Sequence, residues 1–472
     1  MIVFVLLCPG DRSGKREEDM NIGEVTRRLA FNTLDKLQGG KLNTLKEVNK
    51  AEIVDGVTPE YQMRRQKALL QYAAANCPYY RERFAGEVHH RTLEDLQLSD
   101  FPALNKLQFI ENYDTIFSDA YLELKDSLAH LTTSGSTGTP FTVLADPEKM
   151  NHVNMNFMAV LELNGFRMGM KRGEFRAWIE GKNTISKWRS FKNNLKMIEI
   201  SNMGDEQVQA IFERIRKEQI QVLVTYSSGL TALTEYAERK ELPVLEWKNW
   251  PVEMIFTMGE ALPQSTREKA EKIFGIRPVL TYGNNENGFI AVSLDGADTY
   301  TIDLYSYEIE ILKMDSDEPA EEGELGRIVV TDYYNRAFPM IRYDTGDTGK
   351  VRRWTDENGR VHAEFTEIYG RRGSLIYNTS GHPLSMHVFM NNLLNFQGIL
   401  RQAKCTQTGL KTYTLTLNPY PEVQVDEAAV IASYKKYLGD DAECTVEYVD
   451  VLPVQQSGKT MVCEQLCEDY IS

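Results

Sequence analysis

Ser134, Ser136, Thr137 and Thr139 lie within nine residues, TTSGSTGTP from Thr132 to Pro140, together with Gly135 and Gly138. The hydroxyls are hydrogen-bond donors. The glycines let the backbone come close to a ligand and take positive φ. Such a loop presents a row of N–H and O–H donors to an anion, most often a phosphate chain. On its own it reads better as a Ser/Thr-rich surface turn. Three further segments follow in order: TYGNNE at 281–286, IRYDTGDTG at 341–349 with GRRG at 370–373, and QSGKT at 456–460. They add the carboxylates Glu286 and Asp347 and the cations Arg371 and Lys459, and the ordered set completes a nucleotide site. Asp344 shares its turn with Asp347 and is an alternative carboxylate there.

The elements around these segments place them. From about residue 205 to 280, helices and short apolar runs alternate. Helices are expected over Glu206–Lys217, Leu230–Arg239 and Ser265–Phe274. Strands are expected over Gln221–Tyr226, Met254–Met258 and Pro278–Tyr282. Alternation of this kind predicts a parallel sheet with crossover helices and ligands at the strand C-termini. Met254–Met258 ends at Gly259–Glu260 and Pro278–Tyr282 ends at Gly283–Asn284, so both ends fall where that rule puts a site. Helical patterns also cover residues 60–85, Asn105–Phe117 and Lys149–Leu163. Tyr307–Leu312 and Gly326–Thr331 read as antiparallel strands. After Gly370 comes a small α+β unit, with strands Arg401–Thr406, Thr412–Leu417 and Cys444–Val451 and a helix Glu427–Tyr437. The fold class is α/β: a large N-terminal domain of parallel and mixed sheets with a β-rich subdomain, then a small α+β domain. The boundary is expected near Tyr369–Gly373, giving domains over 21–370 and 374–472.

The chain has 472 residues and is 42% hydrophobic, enough for two or more domains with real cores. Its net charge of −15 argues against nucleic acid or an anionic membrane as partner. Any bound polyanion must therefore be held by local donors. Six cysteines are scattered without a CxxC pair, so free thiols and a reducing cytoplasm are expected. Cys463 and Cys467 have the spacing of one helical turn, which reads as packing of a C-terminal helix. Residues 1–8 are apolar but too short to span a bilayer, and 1–20 read as a disordered extension. GDRSGKR at Gly10 and GKT at Gly458 both lack the spacing and surroundings of a kinase-type phosphate loop.

The four ordered segments resemble the adenylate-forming superfamily of acyl-CoA ligases, adenylation domains and luciferases. CPYYRERF, FPALNKLQFIENY and VTYSSGLTALTEYA are similar to the phenylacetate–CoA ligase branch, with the nearest likeness to its capsular-polysaccharide-locus homologues. The resemblance covers roughly residues 25–465, a length within the usual range for a domain pair. It implies that a carboxylate attacks the α-phosphorus of ATP, giving acyl-AMP and pyrophosphate. It also implies a small domain that moves about a hinge.

On that resemblance, Ser134, Gly135, Ser136, Thr137 and Gly138 hold the β- and γ-phosphates. Relatives often carry a lysine after the loop's proline, but here Phe141 stands there. Glu286 is the expected Mg²⁺ ligand, a hard carboxylate suited to an ion bound mainly by phosphates and water. Tyr282 can stack on adenine beside Gly283. Gly259, Glu260 and Ala261 line the adenine and acyl group. Asp347 takes the ribose hydroxyls, a task for an ionised carboxylate. Arg342 is expected in a structural ion pair, and Arg371 at the ribose or phosphate. Lys459 bridges the attacking carboxylate and the α-phosphate in the transition state. Gly373 replaces the usual charged hinge residue and still permits a large φ/ψ change. SGHPLS, with Gly381, resembles the segment that lines the pantetheine tunnel of CoA. Tyr226, Ser227, Phe141 and Asn284 are candidates for the acyl pocket and could equally be packing residues. The acyl acceptor stays open between CoA, a carrier-protein thiol, an amine and a sugar, and direct adenylyl transfer to a hydroxyl is a further alternative. The partners are then small molecules, and a homodimer is the default assembly.

Overall fold

Helix signals in the sequence show where the elements begin. In the computed structural model, Thr58 accepts a hydrogen bond from Tyr61 N, and Pro59 opens the helix Pro59–Asn76. Asp205–Glu218 buries Val208, Ile211, Phe212 and Ile215, a spacing that forms one apolar stripe. Its acidic first turn and basic last turn suit the helix dipole. The structure describes residues 22–37, 39–86, 92, 95–133, 141–176, 185–200, 205–259, 261–371, 376–381, 383–384, 389, 392–393, 395–396, 398–450, 452 and 462–467.

Along the chain, β1 (Leu104–Asn105) is followed by the antiparallel pair β2 (Ala129–Thr133) and β3 (Phe141–Ala145). Next come β4 (Arg172–Arg176), β5 (Leu195–Glu199), β6 (Val222–Tyr226) and β7 (Met254–Met258), which form a sheet of order β5-β4-β6-β7. β4 runs parallel to both β5 and β6. Val222, Leu223 and Val224 are all fully buried, as expected of a parallel strand covered on both faces. The helices Asp205–Glu218, Ser227–Arg239 and Gln264–Phe274 alternate with these strands. Phe212, Trp250 and Phe274 stack at 6.0–6.2 Å beside them.

The chain then enters a larger sheet: β8 (Thr281–Asn284), β9 (Gly288–Val292), β10 (Tyr300–Ile302), β11 (Tyr307–Leu312), β12 (Gly326–Asp332), β13 (Tyr343–Thr355) and β14 (Val361–Arg371). Their order is β11-β12-β13-β14-β10-β9-β8, and β1 pairs in parallel with β13. Tyr282, Ile290, Tyr307, Ile328, Val330 and Phe365 share its core.

The last part begins with the short pair β15 (Ile376–Tyr377) and β16 (Pro383–Leu384). β17 (Leu400–Gln407), β18 (Thr412–Pro419), β19 (Glu443–Tyr448) and β20 (Cys463–Gln465) then form a sheet of order β19-β18-β17-β20. Asp426 caps the helix Glu427–Leu438, whose Val430, Tyr434 and Leu438 join the core of this sheet.

Contacts divide the chain into two units. The first contains 1–50, 155–257 and 270–279, and the second contains 51–154, 258–269 and 280–472. The fold is the expected α/β class, with parallel strands, crossover helices, a β-rich section and a small α+β section.

Three expectations about elements are corrected. Pro278–Tyr282 is not a strand of the parallel sheet: Val279 makes a single parallel bridge to Phe256, and the strand proper starts at Thr281 and pairs antiparallel with β9. The helix expected over Asn105–Phe117 breaks at Asn112, which ends one short helix and starts the next. Cys463 to Cys467 form a strand and its exit, not a helix, because β20 pairs with β17 and sets Cys463 opposite Cys405. Cys77, Cys405, Cys444, Cys463 and Cys467 are free thiols. Among the described residues, no helix is long and apolar enough to cross a membrane.

Candidate functional site

The second unit brings two of the ordered motifs into direct contact. Tyr282 and Glu286 come from TYGNNE, on β8 and the turn after it. Tyr343 and Asp347 come from RYDTGD, on β13. Tyr282 Oη donates to Asp347 Oδ2 at 3.0 Å. Tyr343 Oη donates to Glu286 Oε1 at 3.1 Å. Each motif's tyrosine thus holds the other motif's carboxylate. In the sheet, β14, β10 and β9 separate β13 from β8, so the sheet must curl for these side chains to meet.

Thr345 fixes the geometry further. Its Oγ1 lies 3.3 Å from Tyr282 Oη, accepts from Asp347 N at 3.1 Å and donates to Ile328 O at 2.9 Å. Asp347 is therefore held from both its backbone and its carboxylate. Asp347 also lies opposite Arg371 in the β13–β14 register, so the backbone of Arg371 runs beside the proposed ribose carboxylate. Asp344 is engaged elsewhere: its carboxylate accepts from Arg327 Nη1 at 2.9 Å and from Gly346 N at 2.9 Å. Arg342 has a left-handed φ of 51° and is 3% exposed. Its guanidinium forks onto Glu310 at 3.0 and 2.9 Å and donates to Phe101 O at 2.6 Å. A non-glycine residue in that conformation costs about 1–3 kcal/mol, which a bidentate buried pair can offset.

Glu286 is 3% exposed, and the turn behind it is anchored from below. Asn287 O accepts from Lys149 Nζ and from Tyr307 Oη, both at 2.6 Å. Lys149, the first lysine after the hydroxyl-rich loop, is fully buried and pairs with Asp332 at 2.5 Å. It is committed to that pair and supplies no free cation. His152 stacks on Tyr334 at 3.7 Å, with the two rings nearly parallel. Burial, reinforced by Lys149 and Arg65, holds its imidazole well below the ordinary value of 6.5. Both ring nitrogens lack a hydrogen-bond partner among the described residues.

Other candidates fall out differently. Phe141 is 1% exposed and packs against Phe109 and Phe338, as its packing alternative expects. Tyr282 packs edge-on against Phe365 at 5.3 Å, and its hydroxyl serves Asp347. Gly283 has a reason independent of any ligand: a Cβ there would lie 2.2 Å from Gly288 O across the β8–β9 irregularity. Asn284 caps its own turn by accepting from Asn287 N at 2.8 Å. Gly259 follows β7 at φ 73°, and Ala261 is half-buried. In the first unit, Tyr226 ends β6 half-buried, and Ser227 is wholly buried at the helix start. Gly381, φ 78°, is exposed between β15 and β16. Ser134, Gly135, Ser136, Thr137, Gly138, Glu260, Gly373 and Lys459 lie outside the described residues, as does the Arg371 side chain.

Glu286 suits Mg²⁺ as a single hard ligand whose orientation Tyr343 sets, with phosphate and water supplying the rest. Among the described residues no cluster of three or more His, Cys, Asp or Glu could hold a metal by itself. Sequence reasoning missed Tyr343, Thr345 and Lys149. The signal for the first two was their place two and four residues before Asp347 on one strand.

No family model matches the chain. It is 24% identical over 299 residues to a phenylacetate–coenzyme A ligase of Pseudomonas putida, covering 62% of this chain and 66% of that protein. It is 23% identical over 321 residues to a phenylacetate–coenzyme A ligase of Escherichia coli K12, covering 67% and 71%. The chain thus spans about two thirds of the length of the curated relatives it matches. Its fold is similar to 2-hydroxyisobutyryl-CoA ligase in the postadenylation state in complex with R3-HIB-AMP. There the TM-score is 0.65 at 16% identity, over 87% of this chain and 90% of that one. The same ligase with 2-HIB-AMP and CoA in the thioesterification state gives a TM-score of 0.55 at 16% identity, over 86% and 89%. The likeness to phenylacetate–CoA ligases is thus one of sequence, and the likeness to an acyl-CoA ligase is one of fold.

Proposed function

We propose that the protein activates a carboxylic acid with ATP and passes the acyl group to a thiol, CoA being the leading acceptor. The observation that carries this is the crossed pairing of Tyr282 with Asp347 and Tyr343 with Glu286. It brings two segments of the superfamily's ordered motif set to one place, each carboxylate oriented by a hydroxyl. The similarity to phenylacetate–CoA ligases supports an aryl or other hydrophobic acid as substrate.

In this reading Asp347 accepts from the ribose hydroxyls of ATP, and Tyr282 keeps its second lone-pair face turned the right way. The donors of Ser134, Ser136 and Thr137 cradle the β- and γ-phosphates. Glu286 would hold Mg²⁺, which would supply neutralisation of the phosphate charge. The substrate carboxylate oxygen attacks the α-phosphorus, and the bond to the pyrophosphate oxygen breaks. Lys459 stabilises the charge that builds between the two reactants. In the second step a thiolate sulfur attacks the acyl carbonyl carbon, and AMP leaves with the oxygen that linked them. The small domain over 374–472 exchanges faces between the two steps, turning about Gly373.

A second reading keeps the first step and changes the acceptor to an amine, a sugar or a carrier-protein thiol. The likeness to capsular-polysaccharide-locus homologues favours it. Both readings are tested by carboxylate-dependent ATP–pyrophosphate exchange over aryl, fatty and hydroxy acids, with and without CoA. Exchange with one acid class and CoA-accelerated AMP release are expected. Exchange indifferent to CoA would move the acceptor elsewhere, and no exchange with any acid would overturn acid activation.

A further inference from the structure

The first unit contains a basic pocket that this chemistry does not use. It has a volume of about 550 Å³ and is lined by Arg27, Lys171, Lys187 and Lys196 together with Asn194 and Gln219. In a chain of net charge −15, four cations around one cavity are not background. The pocket lies where β4, β5 and β6 begin: Lys171, Asn194 and Gln221 each directly precede one of these strands. Tyr226 is at the other end of β6, the end at which a parallel sheet takes its ligand.

The cations there outnumber their counter-charges. Arg27, Lys171 and Lys187 have no ion pair among the described residues. Arg27 donates to Gly23 O at 3.2 Å and lies over the Phe191 ring at 5.7 Å. Lys171 donates to the backbone Glu218 O at 2.5 Å. Lys196 shares the Glu218 carboxylate with Arg214, at 2.9 and 2.7 Å. The lining carboxylate Glu253 is engaged by Arg167 at 3.1 Å and by Gln221 at 3.2 Å. Burial, and next the neighbouring Lys196, hold the Lys171 ammonium below the ordinary lysine value, with Arg27 adding to the effect. Converging like charges of this kind are relieved by an anion.

The geometry points to a second binding site, for a multiply charged small anion bearing a phosphate group, on the amino-terminal edge of this sheet. The amides of Asn194 and Gln219 and the hydroxyl of Ser190 add neutral donors to the four cations. The volume fits a small phosphorylated molecule.

Trp188 provides a local reporter, since it is 71% exposed and stacks on the lining residue Phe191 at 6.2 Å. Inorganic phosphate, inorganic pyrophosphate and ribose 5-phosphate would be titrated while tryptophan emission is followed in the wild type and in Trp188→Phe. The difference between the two isolates this pocket from any pyrophosphate bound elsewhere. A saturable Trp188 signal is expected, with its midpoint raised at least about tenfold in Lys171→Gln/Lys196→Gln and raised again by 0.5 M salt. Arg27→Gln serves as an independent variant should the double substitution fail to fold. A tighter midpoint for ribose 5-phosphate than for inorganic phosphate would make the ligand an organic phosphate, and equal midpoints a free phosphate. A non-saturating signal, or midpoints unchanged in both variants, would overturn the site.

Discussion

Tyr343 donates its hydroxyl to Glu286 Oε1 at 3.1 Å, across a sequence separation of 57 residues. The residue that orients the proposed metal ligand is thus itself part of the motif that carries the proposed ribose ligand. With the reciprocal bond from Tyr282 to Asp347, the two motifs are held as one piece. A disturbance at either carboxylate should then be felt at the other.

Removing the Tyr343 hydroxyl tests that coupling. Tyr343→Phe leaves Glu286 short of a hydrogen bond worth about 1.5–3 kcal/mol, the range for a charged acceptor. The Mg²⁺ concentration needed for half-maximal pyrophosphate exchange should rise about 10–150-fold. An unaltered Mg²⁺ titration would detach Tyr343 from the site.

Asp347 and Tyr282 should differ in degree. Asp347→Asn removes the charged acceptor and should weaken AMP binding by about 10–100-fold, whereas Tyr282→Phe should weaken it only about fivefold. Calorimetric titration with AMP measures both. Equal losses would mean that Tyr282 acts by more than orienting Asp347.

Lys459→Ala separates binding from chemistry. A group that acts only in the transition state leaves ATP affinity intact and lowers the rate by about 10²–10³. Single-turnover formation of acyl-AMP, with ATP binding measured beside it, checks this. Adenylation at the normal rate would exclude Lys459 from the first step.

Lys149 is a structural prediction. Lys149→Met leaves Asp332 charged and wholly buried, and it removes a donor from the carbonyl behind Glu286. Breaking a buried pair from one side should cost about 3–5 kcal/mol. A denaturation midpoint within error of the wild type would contradict the pairing.

His152 sets a pH dependence. Below pH 6.5 an unfolded histidine binds a proton that the buried, folded ring refuses, so stability is complete above that pH and falls as pH drops. The loss should reach about 1.4 kcal/mol per pH unit. Thermal midpoints from pH 8 to pH 5 should fall more steeply in the wild type than in His152→Phe. Parallel curves would show that the ring is not what titrates.

Much of the fold could be read from the chain. The 3.6-residue stripe Val208, Ile211, Phe212, Ile215 identified its helix to within a residue at each end, and Met254–Met258 appears as expected. Local periodicity succeeds because burial of one face is decided within a few turns. It failed at Pro278–Tyr282 and at Cys463–Cys467. The first pairs in a hairpin with the adjacent β9 and the second with the remote β17, and runs this short carry no mark of which sheet they join. The choice between Asp344 and Asp347 was open in the residues alone. In the structure Arg327 pairs with Asp344, while Tyr282 holds Asp347.

What the sequence alone determined is the inventory: the ordered motifs, the acidic carboxylates among them, the α/β alternation and the missing lysine at Phe141. Those are properties of residue type and spacing. Only the tertiary structure decided who holds whom. Tyr282 and Asp347 are 65 residues apart and on strands separated by three others, so no spacing rule links them. They meet because the sheet curls, and the curl comes from the accumulated twist of the whole sheet, which no single segment encodes.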